Sequence, residues 1–215
     1  MTAPRTLPHP VFPADTLARM AALYPAQAGL LSHHLPDHPL LSIEALAQLG
    51  EGLPPSDVEY NPGDVPIGIL PEDIPSNGLS IGETIRTIDS NGSWAVLKNI
   101  ENVAAYRALL MDLLAELEPV VTPRTGAMLT PQGFIFISAP GSIAPFHFDP
   151  EHNILLQLRG TKVMNVWPSG DERFADRREH ERYHTGGHRN LPWQDAYRNG
   201  AQQGPPAPGD AVLMP

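Results

Sequence analysis

The stretch PFHFDPEHNILLQLRGTK, residues 145–162, is the part of the sequence that decides the fold. Its first five residues alternate in character, so a strand here places His147 and Asp149 on one face and Phe146 and Phe148 on the other. An imidazole and a carboxylate two residues apart on a strand can bind the same metal ion. They are the first part of the facial triad of two histidines and one carboxylate that holds Fe(II) in oxygenases. The pattern therefore predicts His147 and Asp149 as metal ligands.

The residues that follow predict further strands. Two β-favouring runs on either side of Arg159-Gly160 indicate a hairpin, in which Gln157 lies opposite Lys162 and Asn153 shares their face. A lone lysine on an apolar face is costly to bury unless it meets an anion, which a dicarboxylate cosubstrate would supply. The alternative is that Lys162 lies at the rim of the sheet and its ammonium reaches water.

The rest of the chain divides by composition into an N-terminal region and a β domain. Residues 1–92 are predicted to be helical and rich in proline, and residues 93–215 to form the β domain, with a polar loop insertion at 168–208. Helices are predicted from an apolar stretch at 17–24, from a cap at Ser42, from a Ser80 and Glu83 capping box, and from apolar periodicity over 102–117 that ends at Pro119.

Composition excludes several kinds of site and partner. The chain of 215 residues has no cysteine, so it has neither disulfides nor thiolate zinc sites, and a transition metal must be held by histidine and carboxylate. Its formal net charge of -10 argues against a nucleic-acid backbone as the main partner. No apolar run reaches the length of a membrane span, so we expect no membrane partner and a cytoplasmic location.

At this point the sequence resembles a known family, the cupin-like JmjC group. This group includes the asparaginyl hydroxylase of hypoxia-inducible factor and bacterial proteins labelled as transcription regulators. The resemblance covers about residues 130–215 and implies a mainly β chain with a helical N-terminal part, whose cupin domain is a double-stranded β-helix, or jelly roll. Four matching segments carry it: Pro145 to Asp149, Asn153, Leu156 to Lys162, and Pro208-Gly209-Asp210.

The resemblance also implies an activity and roles for individual residues. The activity is Fe(II)- and 2-oxoglutarate-dependent hydroxylation of a protein or small-molecule substrate. His147 and Asp149 would bind Fe(II), Asn153 would line the cosubstrate pocket, and Lys162 would pair with the distal carboxylate of 2-oxoglutarate. Ala144 stands where that hydroxylase has a cosubstrate-binding threonine.

In the family, a second ligand histidine follows the Gly-Asp turn and strand that correspond here to Gly209 to Pro215. The sequence stops at Pro215, so we expect a truncated cupin domain, and a 215-residue chain that is inactive without its third ligand. A degenerate cupin that binds metal poorly is the alternative. A sheet that stops in mid-strand would leave an unpaired edge, which favours self-association, for example as a homodimer.

Two other functions remain open. The first is a non-catalytic cupin that binds a ligand or partner and acts in regulation, as a transcription regulator would. The second is a zinc peptidase, because His180, Glu181 and His184 match the H-E-x-x-H pattern and His188 lies nearby. Charged and glycine-rich flanks favour a charged surface loop over a peptidase helix. Three further histidines at 33, 34 and 38 are predicted to be solvated.

Overall fold

The computed structural model describes residues 10–62 and 76–214, which form a mixed α/β fold with several open antiparallel sheets. Helix exceeds strand, at 37% against 18%, so the prediction of a mainly β chain is wrong, although the N-terminal region is helical as expected. None of the described helices is both long and apolar enough to cross a bilayer. The helices are α1 (Ala14–Leu23), α2 (Ile43–Gly52), α3 (Ile81–Arg86), α4 (Ala104–Thr125) and α5 (Arg177–His184), and the strands are β1 (Gly29–Ser32), β2 (Val58–Pro62), β3 (Ser93–Leu97), β4 (Ile135–Ser138), β5 (Asn153–Leu156), β6 (Met164–Val166), β7 (Gln202–Gly204) and β8 (Asp210–Met214).

The described residues form two compact units that do not follow the order of the sequence. Unit 1 contains described residues of 37–113 and 129–144, and unit 2 contains described residues of 7–36, 114–128 and 145–215. Residue 92, where the sequence predicts the end of an N-terminal region, lies inside unit 1. All of the predicted site residues belong to unit 2.

Unit 1 is built around β3, the central strand of the antiparallel sheet β2-β3-β4. The apolar side chains of Ala95 and Leu97 are buried. Helix α2 begins at the predicted cap, where Ser42 Oγ accepts a hydrogen bond from a backbone N–H of the first turn. Helix α3 begins at the predicted capping box, in which Ser80 and Glu83 each accept from the backbone of the other.

Helix α4 is longer than the sequence predicts. It continues through Pro119 and Pro123 to Thr125, although each proline removes one backbone hydrogen bond and crowds the preceding turn. Val120 and Val121, directly after the first proline, are buried. Their burial stabilises the continued helix and offsets the lost hydrogen bonds, and propensity alone could not reveal this.

Unit 2 contains the sheet β1-β8-β5, in which β8 is the central strand. Strand β8 pairs antiparallel with β1 on one side and with β5 on the other. Ala211 and Leu213 are 0% and 1% exposed. The last strand of the sequence is therefore paired on both sides, and the edges of this open sheet are β1 and β5.

The predicted hairpin at Arg159-Gly160 does not form. Strand β5 pairs with β8, whereas β6 pairs with β7 in a separate two-stranded ribbon, so Gln157 does not lie opposite Lys162. The chain does turn here, because Gly160 has a φ of +61° that favours glycine. However, the backbone N–H of Gln157 donates to the carbonyl oxygen of Asp210 at 2.8 Å, so the ladder of β5 is satisfied by β8.

The segment predicted as a loop insertion, residues 168–208, contains helix α5, a 3-10 helix at Asp195–Gly200 and strand β7. Because β7 pairs with β6, this segment helps to build the ribbon. The ribbon and the sheet β1-β8-β5 together line a cavity of about 70 Å³. Its apolar lining includes Leu30 and Val212 from the sheet, and Met164 and Val166 from the ribbon.

His33 is buried at the end of β1, so the prediction that it is solvated is wrong. Its Nδ1 accepts a hydrogen bond from the backbone N–H of Leu35 at 3.1 Å. Nε2 therefore carries the proton and donates to the carbonyl oxygens of Gln157 and Asp210, each at 3.1 Å. Burial lowers the pKa of His33 below its ordinary value. A neutral imidazole thus joins three backbone segments of unit 2.

Candidate metal centre

The segment that carries His147 and Asp149 is held in place by a short antiparallel pairing. The backbone N–H of Phe148 donates to the carbonyl oxygen of Arg189 at 3.2 Å, and the N–H of Leu191 donates to that of Phe146 at 2.8 Å. Between these two bonds, His147 and Asn190 form a single β-bridge. The segment is extended as predicted, but it is a bridge rather than a regular strand.

Two aromatic clusters anchor this segment. The ring of Phe146 contacts the rings of Trp167, Trp193 and Tyr197, with centroid distances of 4.8, 5.7 and 5.7 Å. The ring of Phe148 contacts His180 and Tyr183 of helix α5, at 4.3 and 5.7 Å. Such edge-to-face and tilted contacts are favourable beyond their area of burial. The phenylalanines that alternate with the candidate ligands therefore fix the backbone from which those ligands project.

The structure brings the side chains of His147 and Asp149 together. Nε2 of His147 lies 3.8 Å from Oδ1 of Asp149, which is too far for a hydrogen bond. Metal ligand distances of about 2.0–2.2 Å allow two donor atoms of one ion to lie up to about 4 Å apart. Both donor atoms can therefore reach a single metal ion, and as adjacent ligands of a facial site they would lie about 3.0 Å apart, closer than the observed 3.8 Å.

The environment of His147 favours the tautomer that a metal ligand needs. Nδ1 lies 2.7 Å from the carbonyl oxygen of Pro145, and because a carbonyl can only accept, Nδ1 carries the proton. In the neutral imidazole the lone pair is then on Nε2, the ring nitrogen that lies 3.8 Å from Asp149 Oδ1. A backbone carbonyl that fixes the tautomer in this way is a common second partner of ligating histidines.

Asp149 already has a cationic partner, which the sequence did not reveal. Nη1 of Arg189 donates to Oδ1 of Asp149 at 2.7 Å, and it lies 3.6 Å from Oε1 of Glu151. The guanidinium also lies over the ring of Tyr183, with 5.8 Å between Cζ and the ring centroid. The oxygen that faces His147 is thus the same oxygen that Arg189 binds.

The predicted cosubstrate residues lie elsewhere in unit 2. Asn153 is the first residue of β5, and its side chain is half-buried. Lys162 follows the turn after β5 and is also half-buried, and burial lowers the pKa of its ammonium. Within the described parts of the chain, no carboxylate forms an ion pair with Lys162, and neither residue bonds to His147 or Asp149.

The H-E-x-x-H pattern lies on helix α5, which the sequence did not predict to be helical. His180 contacts the ring of Phe148, while Glu181 and His184 are exposed, and no residue of the helix is buried. A zinc-peptidase helix would be mostly buried, so this exposure does not favour that function. His188 lies beyond the end of the helix and is exposed.

The arrangement offers one imidazole nitrogen and one carboxylate oxygen to a cation. Elsewhere in the same unit, the ammonium of Lys162 has no carboxylate partner among the described residues. Over residues 10–62 and 76–214, no group of three or more histidine, aspartate or glutamate side chains is placed to hold a metal ion. A complete triad therefore needs one more ligand than these residues provide. Comparison of the chain with protein-family models, with curated proteins and with solved structures finds no match.

Proposed function

We propose that the protein is an Fe(II)- and 2-oxoglutarate-dependent oxygenase of the cupin-like JmjC type, with His147 and Asp149 as two of its three iron ligands. The observation that carries the proposal is the approach of Nε2 of His147 to within 3.8 Å of Asp149 Oδ1, in an imidazole whose Nδ1 donates to a backbone carbonyl. When bound, iron would activate O₂ for hydroxylation of a protein or small-molecule substrate. A second histidine, the third ligand in the family, is not placed beside this pair among residues 10–62 and 76–214.

The residues of this chain have distinct tasks in this proposal. The carbonyl of Pro145 holds a proton of His147 on Nδ1, so the neutral imidazole presents Nε2 to a metal ion. Lys162 keeps a half-buried positive charge without a carboxylate partner among the described residues, so an anionic ligand such as the distal carboxylate of 2-oxoglutarate would stabilise it. Asn153 lines the cosubstrate pocket, and the two sheets of unit 2 belong to a double-stranded β-helix.

A second candidate function is a non-catalytic cupin that binds a small ligand or a partner and regulates, for example, transcription. The contact between Arg189 and Asp149 favours it, because a carboxylate neutralised by an internal guanidinium is stable without metal. A cupin fold hosts many unrelated activities, so the fold does not choose between the two functions.

The test measures iron binding and 2-oxoglutarate turnover in the same preparations. We expect the wild-type protein to bind one Fe(II) under anaerobic conditions and His147→Ala to lose it. His152→Ala is the matched control, because this exposed histidine lies three residues from Asp149 and contacts only the ring of Tyr24 among the aromatic side chains described. Conversion of 2-oxoglutarate to succinate should require iron and should be lost in Lys162→Met.

Each result decides between the candidates. Iron binding through His147 together with succinate formation supports the oxygenase. Iron binding without turnover favours the regulatory cupin. If His147→Ala and wild type bind iron equally, His147 is not a ligand and the proposal is rejected.

A further inference from the structure

Arg189 is placed next to the candidate metal ligands by backbone geometry. Its carbonyl oxygen accepts from the N–H of Phe148, and the next residue, Asn190, bridges to His147. The arginine is therefore fixed on the chain segment directly across from the ligands. Its side chain needs no long-range movement to reach Asp149, which lies 40 positions earlier in the sequence.

The guanidinium and a metal ion would need the same carboxylate oxygen. Arg189 Nη1 lies 2.7 Å from Oδ1 of Asp149, and this oxygen is the one that faces Nε2 of His147. The side chain of Asp149 is only 23% exposed, so solvent screens the site incompletely. A guanidinium stays charged at every physiological pH, so a metal cation next to Oδ1 is repelled as long as Arg189 remains.

A second acidic partner lies within reach of the same guanidinium. Oε1 of Glu151 is 3.6 Å from the same Nη1, and the ring of Tyr183 lies beside Cζ at 5.8 Å. If Arg189 left Asp149, it could keep a charged partner and an aromatic neighbour. The displacement would therefore not leave an unpaired charge in the half-buried site.

We propose that Arg189 is an internal competitor of the metal: it holds Asp149 in the metal-free protein and moves to Glu151 when a metal binds. This inference rests on the proposed function, because it needs His147 and Asp149 to be ligands. It assigns Arg189 a regulatory task, because the affinity for metal depends on moving the guanidinium from the carboxylate of Asp149 to that of Glu151. Only an ion that binds His147 and Asp149 strongly enough to displace the guanidinium would then occupy the site.

The test uses Mn(II) alone, without 2-oxoglutarate, and measures its dissociation constant by electron paramagnetic resonance of the free ion. Removing the competing charge in Arg189→Met should tighten Mn(II) binding at least about tenfold. Arg189→Lys keeps a cation and should remain close to wild type. Arg198→Met is the matched control, because Arg198 is exposed and pairs only with Asp195 among the carboxylates described, and it should not change the affinity.

The outcomes separate this inference from the proposed function. If wild type binds Mn(II) through His147 but Arg189→Met binds equally or more weakly, Arg189 orients Asp149, and only the inference is overturned. If Arg189→Met binds Mn(II) through His147 and wild type does not, the competition is supported in its strongest form. If no variant binds through His147, the proposed function and the inference fail together. Circular dichroism of each variant shows that the comparison is between folded proteins.

Discussion

Replacing His33 by leucine should lower the free energy of unfolding by about 2–4 kcal/mol. The buried N–H of Leu35 loses its acceptor, and an unsatisfied buried donor costs about 1–3 kcal/mol. The carbonyl oxygens of Gln157 and Asp210 lose the Nε2 donor, but each keeps a backbone donor, at 3.0 Å from Gly209 and 2.8 Å from Gln157 respectively. Most of the loss therefore comes from the single N–H.

The same histidine should make stability depend on pH in a defined direction. Burial lowers the pKa of His33 in the folded state, so the unfolded chain binds a proton more readily than the folded protein. Its contribution is complete above the unfolded-state pKa of about 6.5 and is lost as the pH falls from there through the folded-state pKa. Asp210 and His34 also act on this imidazole, in opposite directions.

Urea denaturation at about pH 8 and about pH 5 checks both expectations. His33→Asn is the matched control, because an asparagine oxygen can accept from the N–H two residues later and does not titrate in this range. We expect the asparagine variant to be more stable than the leucine variant and to show a smaller loss of stability on acidification than wild type. Equal stability of wild type and His33→Leu at about pH 8 would refute the hydrogen-bond argument, and an unchanged pH dependence in His33→Asn would refute the titration argument.

Two further substitutions test the packing of unit 2. Glu116→Gln should lower the free energy of unfolding by about 1–3 kcal/mol. The carboxylate accepts hydrogen bonds from the backbone N–H groups of both Val11 and Phe12 at 2.8 Å, whereas an amide has only one acceptor oxygen. Hydrogen exchange should accelerate at these two amides, and unchanged exchange would contradict the contact. Leu213→Ala should cost about 2–5 kcal/mol, since this side chain of the central strand is 1% exposed. The control is Leu129→Ala, at a position that is 88% exposed, and its free energy of unfolding should lie within about 0.5 kcal/mol of the wild-type value. Thermal unfolding measures both variants, and similar losses of stability would contradict the assignment of the core.

Local signals predicted the elements whose causes are local. The caps at Ser42 and Ser80 begin helices as predicted, because each cap hydrogen bond involves residues within one turn. The pairing of strands was harder to predict from the sequence. The backbone N–H of Gln157 donates to the carbonyl of Asp210, and not across the turn to Lys162. The backbone at Asp210 and the backbone at Lys162 both offer groups that could pair with Gln157. Only the position of β8 next to β5 determines which of the two pairs with it.

In the candidate site, too, the locally determined features were predictable and the contacts between distant segments were not. The proximity of His147 and Asp149 was predictable, because the period of an extended chain determines which side chains share a face. The contact of Arg189 with Asp149 was not, because it depends on pairing between two segments far apart in sequence, one of which was predicted to be a loop. The burial of His33 was missed for a related reason. Its partners are the residue directly after β5, the first residue of β8 and a residue of the turn after β1, and no sequence motif marks such contacts.

The central place of β8 in its sheet has a consequence for how the protein is made. Strand β1 is synthesised early, but it pairs with β8, so on the ribosome Leu31 can be buried in this sheet only after residues 210–214 have been made. Contacts of such sequence separation form slowly and leave apolar strand surface available to other chains in the meantime. We therefore expect the yield of soluble protein to depend on the rate of synthesis and on chaperones that hold nascent chains, even where the stability of the finished protein is adequate.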